Sequence, residues 1–211
     1  MTPAPWVNFL RRLGWPPWFY VVIGGAALVV QLVPAWREPL IYQRDAIGAG
    51  EWWRIWTGHL VHFGWMHFIA DAGLLMILGW TLGQRFRTAS WLALTVQPAL
   101  ISAAIYWLDP QMQRYAGLSA VNLGLLLLLA VRGWQGNWRD WFWPAVVAIY
   151  VVELVYEITR GGQGGGFIAF DDPTVKVATS AHLAATAYAL IAWGVGAWVE
   201  RKAKPARSLQ N

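Results

Sequence analysis

Six apolar stretches of 14 to 25 residues dominate this sequence. They run over about residues 18–33, 58–82, 89–108, 118–131, 141–158 and 175–199. An α-helix needs roughly 20 mostly apolar residues to cross a membrane. Charged residues make up 13% of the chain, against roughly 25% in soluble domains, and the 17 tryptophans suit membrane interfaces. We therefore expect one all-α integral membrane domain over residues 1–211, built as a bundle of six transmembrane helices.

The remaining composition excludes several kinds of site and partner. Without cysteine, the chain forms neither disulfides nor cysteine-ligated metal sites. The net charge of +5 is explained by basic cytoplasmic loops, which are common in membrane proteins. We expect no cofactor and no nucleic-acid partner, with the lipid bilayer as the surrounding medium.

The distribution of Lys and Arg predicts the orientation, because cytoplasmic loops are enriched in both. With six spans and the N-terminus inside, ten of the 16 basic residues fall on the cytoplasmic side and six on the outer side. We therefore expect both termini in the cytoplasm, with residues 200–211 as a basic cytoplasmic tail.

Ionisable and hydroxyl side chains gather near one end of three predicted helices. The second helix carries His62, His67 and Asp71, the fourth Ser119 and the sixth His182. In the predicted orientation all three helices start at the outer face, and a rise of 1.5 Å per residue places these side chains roughly 5–15 Å below it. Ionisable residues inside a bilayer are costly and commonly mark a functional site. Taken singly, each serine or histidine is more often a structural hydrogen-bonding residue.

Ser119 and His182 have the chemistry of a nucleophile and its base. In AGLSAVNLG, residues 116–124, Gly117 permits a tight turn before Ser119. Ser119 then comes near the start of a helix, where free N–H groups stabilise an oxyanion. A neutral histidine is the usual activator of such a serine, and His182 is the one histidine outside the second helix.

A metal site is the other interpretation of the same side chains. Two histidines and a carboxylate, here His62, His67 and Asp71, can ligate Zn²⁺ or Fe²⁺, with His182 as a further candidate ligand.

Four short motifs resemble, in order, those of the rhomboid family of intramembrane serine proteases. The first is the pair Trp53-Arg54, and the second is His62, His67 and Asp71, which fit His-x4-His-x3-Asn with Asp in place of Asn. The third is Gly117-Leu118-Ser119-Ala120, which fits Gly-x-Ser-Gly with Ala in place of the last Gly. The fourth is Ala181-His182-Leu183-Ala184-Ala185, which fits Ala-His-x-x-Gly, again with Ala in place of Gly. Each motif is weak alone, and their order at the right helix ends carries the resemblance. The run EWWRIWTGHLVHFGWMHF, residues 51–68, is most similar to the rhombosortase branch.

The resemblance implies a rhomboid-like bundle and a Ser–His dyad. Ser119 would attack a peptide carbonyl near the outer membrane face, and His182 would take its proton and later protonate the leaving amine, with no third carboxylate required. The substrates implied are single-spanning membrane proteins, and for the rhombosortase branch they bear a C-terminal Gly-Gly motif, a hydrophobic helix and a basic end. The implied location is a bacterial cytoplasmic membrane, with the active site towards the periplasm.

The other motif residues take supporting roles in this comparison. His67 and the backbone N–H of Ser119 would stabilise the oxyanion, and His62 would hold the second helix or the first loop. Three further residues would organise that loop: Trp53, Arg54 and His59.

Asp71 is the main departure from the family pattern. The family's Asn donates a hydrogen bond to the oxyanion, which an ionised carboxylate would repel. Either burial keeps Asp71 protonated and donating, or Asp71 accepts a hydrogen bond from His67 and orients that ring; we favour the second. The chain also has alanine at Ala120 and Ala185, where the family has glycine. These departures support an alternative to an active protease, namely a catalytically inactive relative that binds transmembrane helices.

The last third of the chain contains two further features. The stretch GGQGGG, residues 161–166, is typical of a flexible linker, and the resemblance offers a mobile cap over the site as the alternative. Glu153, inside the fifth predicted helix, receives no role.

Overall fold

The described part of the chain is a helical bundle with a short two-stranded ribbon. The computed structural model describes residues 17–83, 86–160 and 178–203. The α-helices are α1 (Trp18–Leu32), α2 (Arg37–Leu40), α3 (Arg44–Gly48), α4 (Arg54–Thr57), α5 (Trp65–Leu78), α6 (Arg87–Leu108), α7 (Ser119–Gly136), α8 (Phe142–Arg160) and α9 (Thr179–Ala203). Short 3-10 turns cover Pro34–Trp36 and Gly58–Leu60, a π-helical segment covers Gly79–Gly83, and strands β1 (Tyr42–Gln43) and β2 (Arg114–Tyr115) pair antiparallel.

The long helices are apolar, and the chain is an all-α membrane protein. Helix α6, helix α8 and the Thr179–Lys202 part of α9 are each long and apolar enough to cross a membrane. Helices α1 and α5 pass the same test only together with a short neighbouring helical segment, from which they are bent by 106° and 101° respectively. Helix α7 is apolar but shorter, over Ser119–Gln135.

The second predicted helix, over residues 58–82, needs correction at its start. Residues 61–64 are not helical, and α5 begins only at Trp65. Gly64 is fully extended, with φ 173° and ψ 173°. The N–H of Phe63 donates to His67 Nδ1 at 3.4 Å instead of to a helical carbonyl. The apolar composition of this stretch therefore hides a break between two helical segments.

The other predicted helices lie close to observed ones where the chain is described. The predicted ranges 18–33, 89–108, 118–131 and 141–158 correspond to α1, α6, α7 and α8. The sixth corresponds to α9, except that residues 175–177 lie outside the described residues. The predicted tail lies outside the described residues after Ala203. The stretch GGQGGG, residues 161–166, also lies outside them.

Helix α7 lies at the centre of the bundle, where small residues let helices approach closely. It packs against α5, α6, α8 and α9. Ala120 on α7 and Ala181 and Ala185 on α9 are fully buried. A Cβ on Gly124 would lie 2.1 Å from Gln97 Nε2 and 2.9 Å from Ala185 O. Such close packing matters because lipid gives apolar helices little hydrophobic reason to associate.

The loop between α1 and α5 is folded around a buried arginine. Arg54 is 6% exposed, and its Nη1 donates to the carbonyls of Glu38 and Ile41, each at 2.7 Å. Trp53 Nε1 donates to Pro39 O at 3.0 Å. Both residues therefore join separate parts of the same loop.

The β1–β2 ribbon connects this loop to the start of α7. Tyr42 pairs with Tyr115. A Cβ on Gly58 would lie 2.7 Å from Tyr42 N, so the backbones approach closely here. The N–H of Gly117 donates to Gly58 O at 3.4 Å. The loop thus positions the residues that immediately precede Ser119.

Candidate active site

The structure brings Ser119 and His182 together at the N-terminal ends of two neighbouring helices. Ser119 is the first residue of α7, and His182 lies in the first turn of α9. His182 Nε2 is 3.3 Å from Ser119 Oγ. The first hydrogen bond of α7 runs from Asn122 N–H to Leu118 O, so the N–H of Ser119 is not used inside the helix. A hydroxyl, an imidazole and a helix N-terminus therefore lie side by side. An acyl-transfer site needs these three groups as nucleophile, base and oxyanion-binding site.

A buried carboxylate on α8 contacts the other ring nitrogen of His182. Nδ1 of His182 lies 2.7 Å from Glu157 Oε2 and 2.9 Å from Glu157 Oε1. Glu157 is 4% exposed and His182 is 5% exposed. Glu157 was not among the predicted site residues, although an acidic residue within an apolar helix is a signal that could have identified it.

Helix α8 contacts α9 through polar as well as apolar side chains. Of the residues of α8, Tyr150 and Glu157 are buried. Tyr150 is hydrogen-bonded through its hydroxyl to Thr186 Oγ1, which donates to His182 O at 2.7 Å. Glu153, one turn before Glu157, lines a small cleft beside His182. Two separate polar contacts therefore link α8 to the helix that carries the histidine.

Asp71 lies beside the N–H of Leu118 and the rings of two histidines. The N–H of Leu118 donates to Asp71 Oδ2 at 2.8 Å, and Nε2 of His62 and of His67 each lie 3.2 Å from the same oxygen. The carboxyl group is buried, and its residue is 2% exposed. The Oδ2 atom therefore acts as an acceptor towards the backbone N–H of Leu118. This acceptor also holds the residue that precedes Ser119.

Gly117 occupies a position that glycine alone fills without strain. Its φ is +113°, and a Cβ there would lie 2.6 Å from His67 Nε2 and 3.1 Å from Asp71 Oδ2. The hydroxyl of Tyr115 donates to Gly117 O at 3.2 Å. Burial, and to a smaller degree the Asp71 carboxylate, raise the pKa of Tyr115, so the phenol keeps its proton and remains a donor. The turn before Ser119 is thus held from two sides.

The structure separates His59 from the other histidines of the second predicted helix. Its Nε2 lies 3.1 Å from Pro98 O and 3.2 Å from Ser102 Oγ, both on α6. Ser102 Oγ in turn donates to Ile55 O at 2.8 Å. His59 is 1% exposed and joins the first loop to α6.

The metal interpretation can be compared with the same geometry. His62, His67 and Asp71 each offer a ligand atom, and these atoms lie within 4.8 Å of one another; His182 is outside this group. The N–H of Leu118, however, points at the Oδ2 that a cation would need. An amide N–H is a donor with no lone pair for a metal, so the donor set favours a hydrogen-bond network.

Comparisons with known proteins give one finding at the level of the family. The family model described as Rhomboid domain matches residues 49–198 of the chain. This range includes Ser119, Glu157 and His182, together with the loop around Arg54. A comparison with curated proteins finds no match.

Proposed function

The chain belongs to the rhomboid family of intramembrane serine proteases, and on that premise we propose that it is an intramembrane serine endopeptidase with Ser119 as nucleophile and His182 as general base. The observation that carries the proposal is the 3.3 Å separation between Ser119 Oγ and His182 Nε2. A nucleophile and base at hydrogen-bonding distance, beside a helix N-terminus, form a minimal acyl-transfer site.

In the first half of the reaction, Ser119 Oγ attacks the carbonyl carbon of the substrate peptide bond while His182 Nε2 accepts the hydroxyl proton. The carbonyl oxygen becomes an oxyanion, which the N-terminal N–H groups of α7 stabilise. The protonated His182 then donates its proton to the leaving nitrogen. The peptide bond breaks, the amine product departs, and an ester links the acyl product to Ser119.

In the second half, water attacks this ester while His182 accepts a proton from the water. The tetrahedral intermediate collapses, the ester bond breaks, and Ser119 Oγ recovers its proton from His182. The carboxylate product departs, and both side chains return to their starting protonation states.

Asp71 has a positioning role in this proposal. Its Oδ2 accepts the N–H of Leu118 at 2.8 Å, so it holds the backbone next to the nucleophile. Its proximity to His67 supports the interpretation in which the carboxylate orients that ring at the oxyanion side of the site. His62 supports Asp71 from the break before α5.

The proposed substrates are single-spanning membrane proteins, in keeping with a family that acts on transmembrane substrates. The similarity of residues 51–68 to the rhombosortase branch supports a narrower class, proteins with a C-terminal Gly-Gly motif, a hydrophobic helix and a basic end. The count of basic residues supports both termini in the cytoplasm. The similarity to the rhombosortase branch supports a bacterial membrane, with cleavage near the periplasmic face.

The test uses purified protein in liposomes, a single-spanning reporter with such a tail, and a fluorophosphonate probe. Ser119→Ala and His182→Ala are expected to abolish cleavage, and Ser119→Ala to abolish labelling, while each variant still inserts. Ser180→Ala is the matched serine control, since Ser180 lies on α9 and its Oγ donates to Asp109 Oδ2 at 2.9 Å. Its labelling should match that of the unmodified protein.

Two outcomes would overturn the proposal. An unmodified protein that neither cleaves nor labels, yet co-purifies with transmembrane helices, would be an inactive binding relative. Activity that survives Ser119→Ala but requires a stoichiometric metal would assign the chemistry to His62, His67 and Asp71.

A further inference from the structure

We propose that Glu157 is the orienting carboxylate of a Ser119–His182–Glu157 triad, a positioning residue for the reaction proposed above, on which this inference rests. Both oxygens of Glu157 lie within 2.9 Å of His182 Nδ1, and Nε2 of the same ring lies 3.3 Å from Ser119 Oγ. Nucleophile, base and carboxylate therefore follow one another in a single hydrogen-bonded chain. This is the arrangement by which unrelated serine hydrolases orient their histidine.

The contact with Glu157 determines which nitrogen of His182 can act as the base. A carboxylate beside Nδ1 accepts a hydrogen bond from it, so the proton of the neutral ring stays on Nδ1. The lone pair is then on Nε2, which faces the serine hydroxyl. During proton transfer the ring becomes an imidazolium, and the same carboxylate stabilises that charge. Without Glu157 the neutral ring is free to adopt the other tautomer, which cannot accept the serine proton.

The position of Glu157 is poorly suited to stabilising its own helix. It lies in the last turn of α8, which ends at Arg160, where the helix dipole disfavours negative charge. It is also 4% exposed, and a buried carboxylate is costly unless it is paired. His182 is the partner that compensates for both. The Glu157 carboxylate is therefore stabilised by His182 and not by α8 itself.

The rival explanation is that Glu157 merely docks α8 onto α9, and the chain supplies a control for it. Tyr150, two turns earlier on α8, is hydrogen-bonded to Thr186 on α9 and not to the His182 ring nitrogens, whose partners in the described part of the chain are Glu157 and Ser119. Tyr150→Phe removes this second docking contact and leaves the histidine contact intact. Glu153→Gln removes a neighbouring carboxylate on the same face of α8. Together the two variants separate docking and local charge from orientation.

The experiment measures kcat and KM for the single-spanning reporter, and the rate of fluorophosphonate labelling of Ser119, in liposomes. Glu157→Gln is expected to lower kcat and the labelling rate by about 10- to 100-fold, the loss typical of one hydrogen bond to a charged group. KM is expected to stay within about twofold, because the substrate-binding surface is unchanged. Tyr150→Phe and Glu153→Gln are expected to retain both rates within about twofold.

Several results would overturn the inference. Glu157 would be a docking residue alone if Glu157→Gln retained both rates, changed only KM, or lost no more activity than Tyr150→Phe. If Glu157→Gln is not recovered folded, Glu157→Asp decides, because it keeps the charge but shortens the reach to Nδ1. Its kcat should fall with KM unchanged, and an unaltered kcat would refute the triad. An unmodified protein without labelling or cleavage would refute the proposed function itself, and the triad with it.

Discussion

Gly117→Ala provides the sharpest test of how the turn before Ser119 is built. Gly117 has φ +113°, a conformation that costs a residue with a Cβ about 1–3 kcal/mol. The new methyl group would also lie 2.6 Å from His67 Nε2, so the ring must move. Moving it disrupts the 3.2 Å contact with Asp71, worth about 1.5–3 kcal/mol for a hydrogen bond to a charged group.

The two costs together amount to roughly 2.5–6 kcal/mol, a large part of the usual 5–15 kcal/mol stability of a domain. The same clash also pushes the turn away from His67 and Asp71, and Ser119 follows the turn after one intervening residue. A misplacement of about 1 Å at a reacting group can reduce a rate 100-fold. We therefore expect Gly117→Ala to slow fluorophosphonate labelling of Ser119 by at least about 100-fold, with a lower midpoint of thermal unfolding.

The assay compares labelling rates and unfolding midpoints of detergent-solubilised variants, with Gly73→Ala as the matched control. Gly73 lies on α5, two residues after Asp71, and a Cβ there meets nothing within 4 Å. Alanine in place of glycine inside a helix is expected to stabilise by about 0.5–1 kcal/mol. A Gly117→Ala protein that labels as fast as Gly73→Ala would refute this account of the turn.

Three further substitutions test other parts of the structure. Asp71→Asn should lower thermal stability by about 1.5–3 kcal/mol and slow Ser119 labelling, because a neutral amide replaces the carboxylate that accepts the N–H of Leu118 and lies beside His67. Faster cleavage would show that the carboxylate is a tolerated defect. Arg54→Lys should expose the first loop to limited proteolysis, since one ammonium cannot replace a planar guanidinium bonded to two carbonyls and a carboxylate; an unchanged digestion rate would contradict this. Gly124→Ala should destabilise the bundle by about 1–3 kcal/mol, because its Cβ would lie 2.1 Å from Gln97 Nε2. Gly194→Ala is the control and should not destabilise the bundle, because a Cβ there meets nothing within 4 Å. Equal unfolding midpoints for the two variants would contradict the packing argument.

The membrane class and most of the long helices could be predicted from the sequence because lipid imposes a simple rule. A segment that crosses a bilayer must be apolar over a fixed length, and that pattern is visible without any tertiary contact. The convergence of Ser119 and His182 was predictable for a related reason. Alternating helix directions place the starts of the fourth and sixth helices at one face, and the helical rise sets their depth.

The break at residues 61–64 could not be predicted in the same way. It contains Val61 and Phe63 and lies within a long, mostly apolar stretch, so hydropathy shows no boundary. The boundary depends instead on an extended Gly64 and on the bond from Phe63 N–H to His67 Nδ1, which form together with the tertiary structure. The same limit applies to the short helices around Arg54, whose partners are carbonyls 13 and 16 residues away in the sequence.

Glu157 was missed because its role depends on how two helices are rotated about their axes. Glu153 and Glu157 are both acidic residues in one apolar helix, one turn apart, and nothing in the local sequence distinguishes them. Packing of α8 against α9 brings Glu157 to His182 Nδ1 and leaves Glu153 at the cleft. The rotation of a helix about its axis is set by side-chain packing against neighbouring helices. That packing cannot be derived from a single sequence.

Two buried carboxylates flank the proposed nucleophile from different helices, and each acts on a different component of the site. Asp71 on α5 holds the backbone of Leu118, next to Ser119, whereas Glu157 on α8 holds the ring of His182. Asp71 contacts His67 of its own helix, but it also accepts the N–H of Leu118 at the start of α7, and Glu157 contacts His182 of α9. Each buried carboxylate is therefore fully paired only when the neighbouring helix is in place. The contacts that orient the site are therefore also contacts that specify the packing of α5 and α8 around α7 and α9. A change that loosens α8 should accordingly reach the chemistry through His182, without any direct contact with Ser119.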